Sequence, residues 1–116
     1  MSGWHRLWLE AFIFTQLIEV PVYTVALQRN DEALSLPQAL LLAFVASLAT
    51  HPALWFILPP LIEDRAVMVT VGELGVYAVE AGYLWALGVK RFWLWALAAN
   101  GLSLGFGLLR EWIGTF

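Results

Sequence analysis

Apolar residues run through this chain in four long blocks, and most of the charged residues fall between or beside them. The blocks extend from about Leu7 to Leu27, Pro37 to Leu58, Ala66 to Val89 and Phe92 to Leu109. A helix needs roughly 20 mostly apolar residues to cross a bilayer. The pattern therefore predicts an all-α fold, an integral membrane bundle of four transmembrane helices with both termini on the same side. No soluble domain, repeat or low-complexity segment breaks it, so residues 1–116 read as a single transmembrane domain.

Polar residues inside the spans form stripes. In span three Glu73 and Glu80 are two helical turns apart and share a side with Thr70 and Tyr77. The opposite side carries Gly75, Ala78, Gly82 and Ala86, a small-residue back expected to meet span four or another protein. In span one Thr15, Gln16, Glu19 and Tyr23 fall within a third of the circumference. Pro21 is expected to kink that span and free the Leu17 carbonyl. Span two places Ser47, His51 and Trp55 on one face; Pro52 frees the Leu48 carbonyl, and Pro59-Pro60 is expected to end the helix. Span four shows a small and polar face, Ala96, Asn100, Ser103 and Gly107, and a separate Gly101/Gly105 pair of the kind that joins membrane helices.

The connections are short. Gln28–Leu36 is the most hydrophilic, and Ser35 followed three residues later by Gln38 predicts a helix start. Pro59–Arg65 is the second loop, and Lys90-Arg91 is expected to be the whole of the third, making a tight hairpin. Trp4, Trp8, Trp93, Trp95 and Trp112 mark span ends, where aromatic side chains favour the membrane interface.

Composition agrees. Of 116 residues, 61% are hydrophobic and 13% charged, against roughly 25% charged in soluble domains. Cysteine is absent, which excludes disulfides and thiolate metal sites. The N-terminal segment reads as an uncleaved first span, since Glu10 interrupts its apolar run and no small-residue cleavage site follows. A net charge of −3 offers no basic patch, so no nucleic-acid partner is expected. Arg6, Arg65 and Arg110 balance Arg29, Lys90 and Arg91 across the membrane, so charge gives no orientation. The expected setting is a lipid bilayer, that of a bacterial inner membrane, with the chain in a homo-oligomer or larger membrane complex.

Depth brings the stripes together. At about 1.5 Å per residue, Thr15, Gln16, His51, Glu73, Asn100 and Ser103 lie about 9–14 Å from the terminal side, and Glu19 and Glu80 about 18–21 Å. A charged residue at a helix centre costs roughly 2.5–3.5 kcal/mol even on the permissive insertion scale. No Lys or Arg lies inside a span to offset three glutamates, and His51 is the only basic candidate. The acids must be protonated, hydrogen-bonded or bound to an outside cation.

The expected site is therefore Glu19, His51, Glu73, Glu80 and Asn100, supported by Thr15, Gln16, Tyr77 and Ser103, and its expected role is to bind or translocate a cation. Carboxylates alone suit protons or organic cations. His51, Glu73 and Glu80 together suit a divalent metal ion such as Mn, Fe, Co, Ni or Zn. A buried His51 near Trp55 also suits an axial ligand to a tetrapyrrole. A bracing or assembly subunit of a larger membrane complex is the second reading, with the polar residues as interhelical glue. An intramembrane enzyme is the third, and it lacks a second histidine inside a span and a serine beside a clear base. The length, four spans and Glu19 in span one resemble the small multidrug-resistance transporters, which carry a membrane glutamate in their first helix. The near-even split of Arg and Lys is also similar to what their dual topology implies. His51 and the paired glutamates of span three depart from their pattern, so the likeness is one of size and chemistry.

Overall fold

The computed structural model describes residues 3–48, 50–52 and 56–113. Trp55, expected beside His51, lies outside the described residues, as do the side chains of Trp4, Arg65, Arg110, Glu111 and Trp112. Among the described residues there are six α-helical segments: α1 (Gly3–Asn30), α2 (Leu36–Leu48), α3 (Thr50–Pro52), α4 (Leu58–Leu61), α5 (Arg65–Ala86) and α6 (Phe92–Ile113). No strand occurs among the described residues. α1, α5 and α6 correspond to spans one, three and four, and α2, α3 and α4 carry the described parts of span two. α1 packs against α2 and α6, and α5 against α6 and, more lightly, α2. The order around the bundle is thus α1, α2, α5, α6, with α1 and α5 on a diagonal. The long axis measures 43 Å, about the thickness of a bilayer with its headgroups.

Three helices have the length and composition of membrane spans: Trp8–Asn30, Ala66–Ala86 and Phe92–Leu109. In span two the described apolar run, Leu36–Pro52, is shorter. Side-chain distribution gives a second sign of a membrane setting. Seven of the eleven buried hydrophobic residues are alanines: Ala26, Ala39, Ala43, Ala46, Ala81, Ala96 and Ala99. The large apolar side chains face outward, with Leu17 71% and Trp85 67% exposed. In water such a surface would be unfavourable by about 25 cal/mol per Å² of apolar area. Against lipid it is neutral, and helix association then relies on small residues that let backbones approach.

The helix ends follow local chemistry. Gln38 N–H donates to Ser35 Oγ at 3.3 Å and Ser35 N–H to Gln38 Oε1 at 3.0 Å, the reciprocal box expected at the start of α2. Asp64, read from sequence only as a solvated end, caps α5 by accepting from Val67 N–H at 3.0 Å. α1 runs unbroken through Pro21. Pro59-Pro60 lies within the helical turn of α4 and does not stop it; an N–H is not needed in a helix's first turn.

Two expectations are narrowed. α5 ends at Ala86, short of Val89, and the third connection is Leu87–Arg91. Gly88 adopts φ 77°, its N–H bonds Trp85 O at 2.9 Å, and Val89 N–H bonds Leu84 O at 3.0 Å. That is the glycine-terminated Schellman pattern, with Val89 and Leu84 both in the core. The small-residue back of α5 also does not meet α6. Gly75, Ala78, Gly82 and Ala86 are exposed, and a Cβ added at Gly75 or Gly82 would meet nothing within 4 Å. Gly101 and Gly105 are open in the same way. Among the described residues the buried hydrophobic side chains are mostly alanines.

Candidate functional site

Glu80 sits at the centre with no solvent exposure. Its position on α5 points it down the diagonal toward α1. Tyr23 of α1 donates its hydroxyl to Glu80 Oε1 at 2.5 Å. Asn100 of α6 donates from Nδ2 to the same oxygen at 3.1 Å, and lies 3.2 Å from the Tyr23 hydroxyl and 2.9 Å from the Ala96 carbonyl. Thr50 of α3 donates to Glu80 Oε2 at 3.0 Å, with the Ser47 carbonyl 3.2 Å away. One carboxylate therefore joins segments of all four spans. Hydrogen bonds to an ionised group contribute about 1.5–3 kcal/mol each, enough together to offset much of the burial penalty.

Glu19 lies directly beside Glu80, with Ser103 also close. It is 3% exposed, and its Oε1 has no hydrogen-bond partner. Two bare carboxylates in contact repel strongly in a low dielectric, so such a pair holds a proton or a cation between its members.

Both glutamates line a cavity of about 40 Å³ together with Thr15, Ser47, Thr50, His51, Glu73, Val76, Asn100 and Ser103. The lining holds three carboxylates and no Lys or Arg. Among the described lining residues His51 is the only imidazole. Its Nε2 lies 3.3 Å from Thr15 Oγ1, its Nδ1 is buried without a partner, and its ring packs against Phe12 at 5.4 Å. Phe12 in turn meets Trp8 and Phe44, and Trp8 meets Phe56. Trp8, expected at the interface, thus belongs to an aromatic cluster roofing the histidine.

Of the residues expected at the site, Thr15, Glu19, His51, Glu73, Glu80, Asn100 and Ser103 line one cavity. Gln16 and Tyr77 do not. Gln16 Nε2 donates to Ser47 Oγ, joining α1 to α2. The Tyr77 hydroxyl donates to the Trp93 carbonyl at 3.1 Å, joining α5 to α6. Among the described residues no three His, Asp or Glu side chains group closely enough to hold a metal ion, so His51, Glu73 and Glu80 do not form a common ligand set. The imidazole is turned to Thr15, and Glu80 is occupied by its three donors.

Sequence reasoning left Ser47, Thr50 and Val76 of the cavity lining, and Tyr23 beside it, out of the site. The signal for Tyr23 was its place one turn after Glu19 on the same stripe. Thr50 stands three residues after Ser47 and one before His51, which puts it on the polar face of span two. In comparisons with known proteins, no family, no characterised protein and no solved structure matches the chain.

Proposed function

We propose that this small membrane bundle binds and exchanges a cation at the cavity between Glu19 and Glu80. The observation that carries this reading is the pair itself. Two buried carboxylates touch, one has an unpartnered oxygen, and no cationic side chain lines the cavity to neutralise them. A charge that no side chain neutralises is met by a bound proton or ion, and the cavity beside the pair gives that species a place to exchange. The small cavity, and the lack of a three-ligand group among the described residues, favour a small monovalent species over a divalent transition metal or a bulky organic cation.

The test is cation uptake by the protein reconstituted in liposomes, followed with a pH-sensitive dye and with radiolabelled sodium. Replacing Glu19 and Glu80 together by Gln is expected to abolish uptake of whichever ion is carried. Unchanged uptake in the double variant would overturn the reading.

A second reading, assembly with another membrane chain, is favoured by the outward small-residue faces of α5 and α6. The chain has no cysteine, so a single Gly82→Cys substitution gives a clean cross-linking probe in native membranes. Disulfide-linked dimers, or a cross-link to one other protein, are the expected result on this reading; a chain that stays single counts against it.

A further inference from the structure

We propose that the corner where the end of α1 meets the α5–α6 turn binds the headgroup of an anionic phospholipid, held by Arg29, Lys90 and Arg91.

The fold brings these side chains together from two distant parts of the chain. The Asn30 side chain accepts from the Lys90 backbone N–H at 2.9 Å. Arg29 precedes Asn30 and Arg91 follows Lys90, and consecutive Cα atoms are about 3.8 Å apart. All three basic residues therefore stand within one residue of that bond. All three are exposed. None of them has an ion pair among the described residues; the Arg6–Glu10 pair, at 3.2 Å, belongs to the other end of the bundle.

The acids at this end do not answer them. Asp31 turns back on its own connection, where its Oδ1 accepts from the Ala33 N–H at 3.0 Å. Glu32 follows it in the connection that leads to α2. Three basic against two acidic residues leave this end net positive, whereas at the terminal end Glu10, Glu63, Asp64 and Glu111 outnumber Arg6, Arg65 and Arg110.

Height in the membrane fits a headgroup. Trp85, in the last turn of α5, and Trp93, in the first turn of α6, are both largely exposed. They flank the turn, and tryptophan favours the level between acyl chains and headgroups. Guanidinium groups grip a phosphate through paired N–H donors, and an ammonium adds a point charge. Basic groups beside membrane helices recognise anionic headgroups in this way. Phosphatidylcholine carries the same phosphate, but its choline cancels the charge. The corner therefore selects phosphatidylglycerol or a related anionic lipid. It lies away from the cavity and does not depend on a cation being bound there.

Native mass spectrometry of the full chain in an uncharged detergent, titrated with phosphatidylglycerol and with phosphatidylcholine, tests this. Wild type is expected to keep a phosphatidylglycerol molecule under conditions that strip phosphatidylcholine. Replacing Arg29, Lys90 and Arg91 together by Gln is expected to abolish that preference, and each single change to weaken phosphatidylglycerol binding by about fivefold. Asn30→Ala keeps every charge but unties the corner, and is expected to weaken binding by a similar factor. Arg6→Gln, at the other end, is expected to have no effect. A preference that survives the triple substitution, or that falls equally in Arg6→Gln, overturns the site. Unchanged binding in Asn30→Ala overturns its assembly by the Asn30–Lys90 bond. Excess inorganic phosphate is expected to leave the lipid in place; displacement would make free phosphate the occupant and overturn the choice of lipid.

Discussion

The two halves of the bundle are built on opposite rules. Toward the α1–α2 and α5–α6 connections the interior is Ala26, Leu27, Ala39, Ala43, Leu84, Val89 and Ala96, small and dry, with every one of these side chains buried. Toward the termini it is Thr15, Ser47, Thr50, His51, Glu73 and Ser103 around a cavity. The same four spans make both. Methyl groups hold helices close enough for dispersion to bind them, and that packing offsets the cost of polar groups in the other half. Glu80 and Tyr23 sit at the border, tied to all four spans.

Substitutions at the border should break this contrast most. Glu80→Leu leaves the Tyr23, Thr50 and Asn100 donors without their acceptor, at about 1–3 kcal/mol for each buried unsatisfied group, and is expected to lower stability by about 3 kcal/mol or more, read from unfolding in mild detergent. Next comes the dry half. Ala43→Phe overfills the α1–α2 contact and should cost about 1–3 kcal/mol, while leaving the Glu19–Glu80 chemistry measurable in whatever fraction folds. Tyr23→Phe removes one donor to Glu80 and should cost about 1 kcal/mol in the same assay. Gly88→Ala places a side chain at φ 77° and should cost roughly 0.5–1 kcal/mol, seen as faster amide exchange at the end of α5. Gly75→Leu, on the open back of α5, should change the stability of the single chain by less than about 0.5 kcal/mol. A large loss there would show that the back is covered in the membrane and that the contrast extends to a second chain.

Much of this was legible from residue spacing. The four spans follow from hydropathy, and the meeting of Glu19, His51, Glu73, Glu80 and Asn100 follows from counting depth, because helical rise is constant. The start of α2 was readable because Ser35 and Gln38 act through adjacent backbone. What stayed hidden depends on neighbours distant in sequence. Glycines spaced along a helix look the same whether they face a partner or lipid, so the open backs of α5 and α6 could not be told from contacts. Gly88 competed with the charges of Lys90 and Arg91 as a stop signal, and backbone freedom decided it. The donors that hold Glu80 depend on which way Thr50, Tyr23 and Asn100 turn, which spacing does not encode.

One contact far from the cavity has a mechanical consequence. The Asn30 side chain at the end of α1 accepts from the Lys90 backbone N–H at 2.9 Å. No loop joins α1 to the α5–α6 turn, so this bond acts as a cross-brace between two corners of the frame. With the turn also fixed by its backbone bonds at Gly88, α1 and the α5–α6 hairpin are pinned together at the end of the bundle away from the polar cavity.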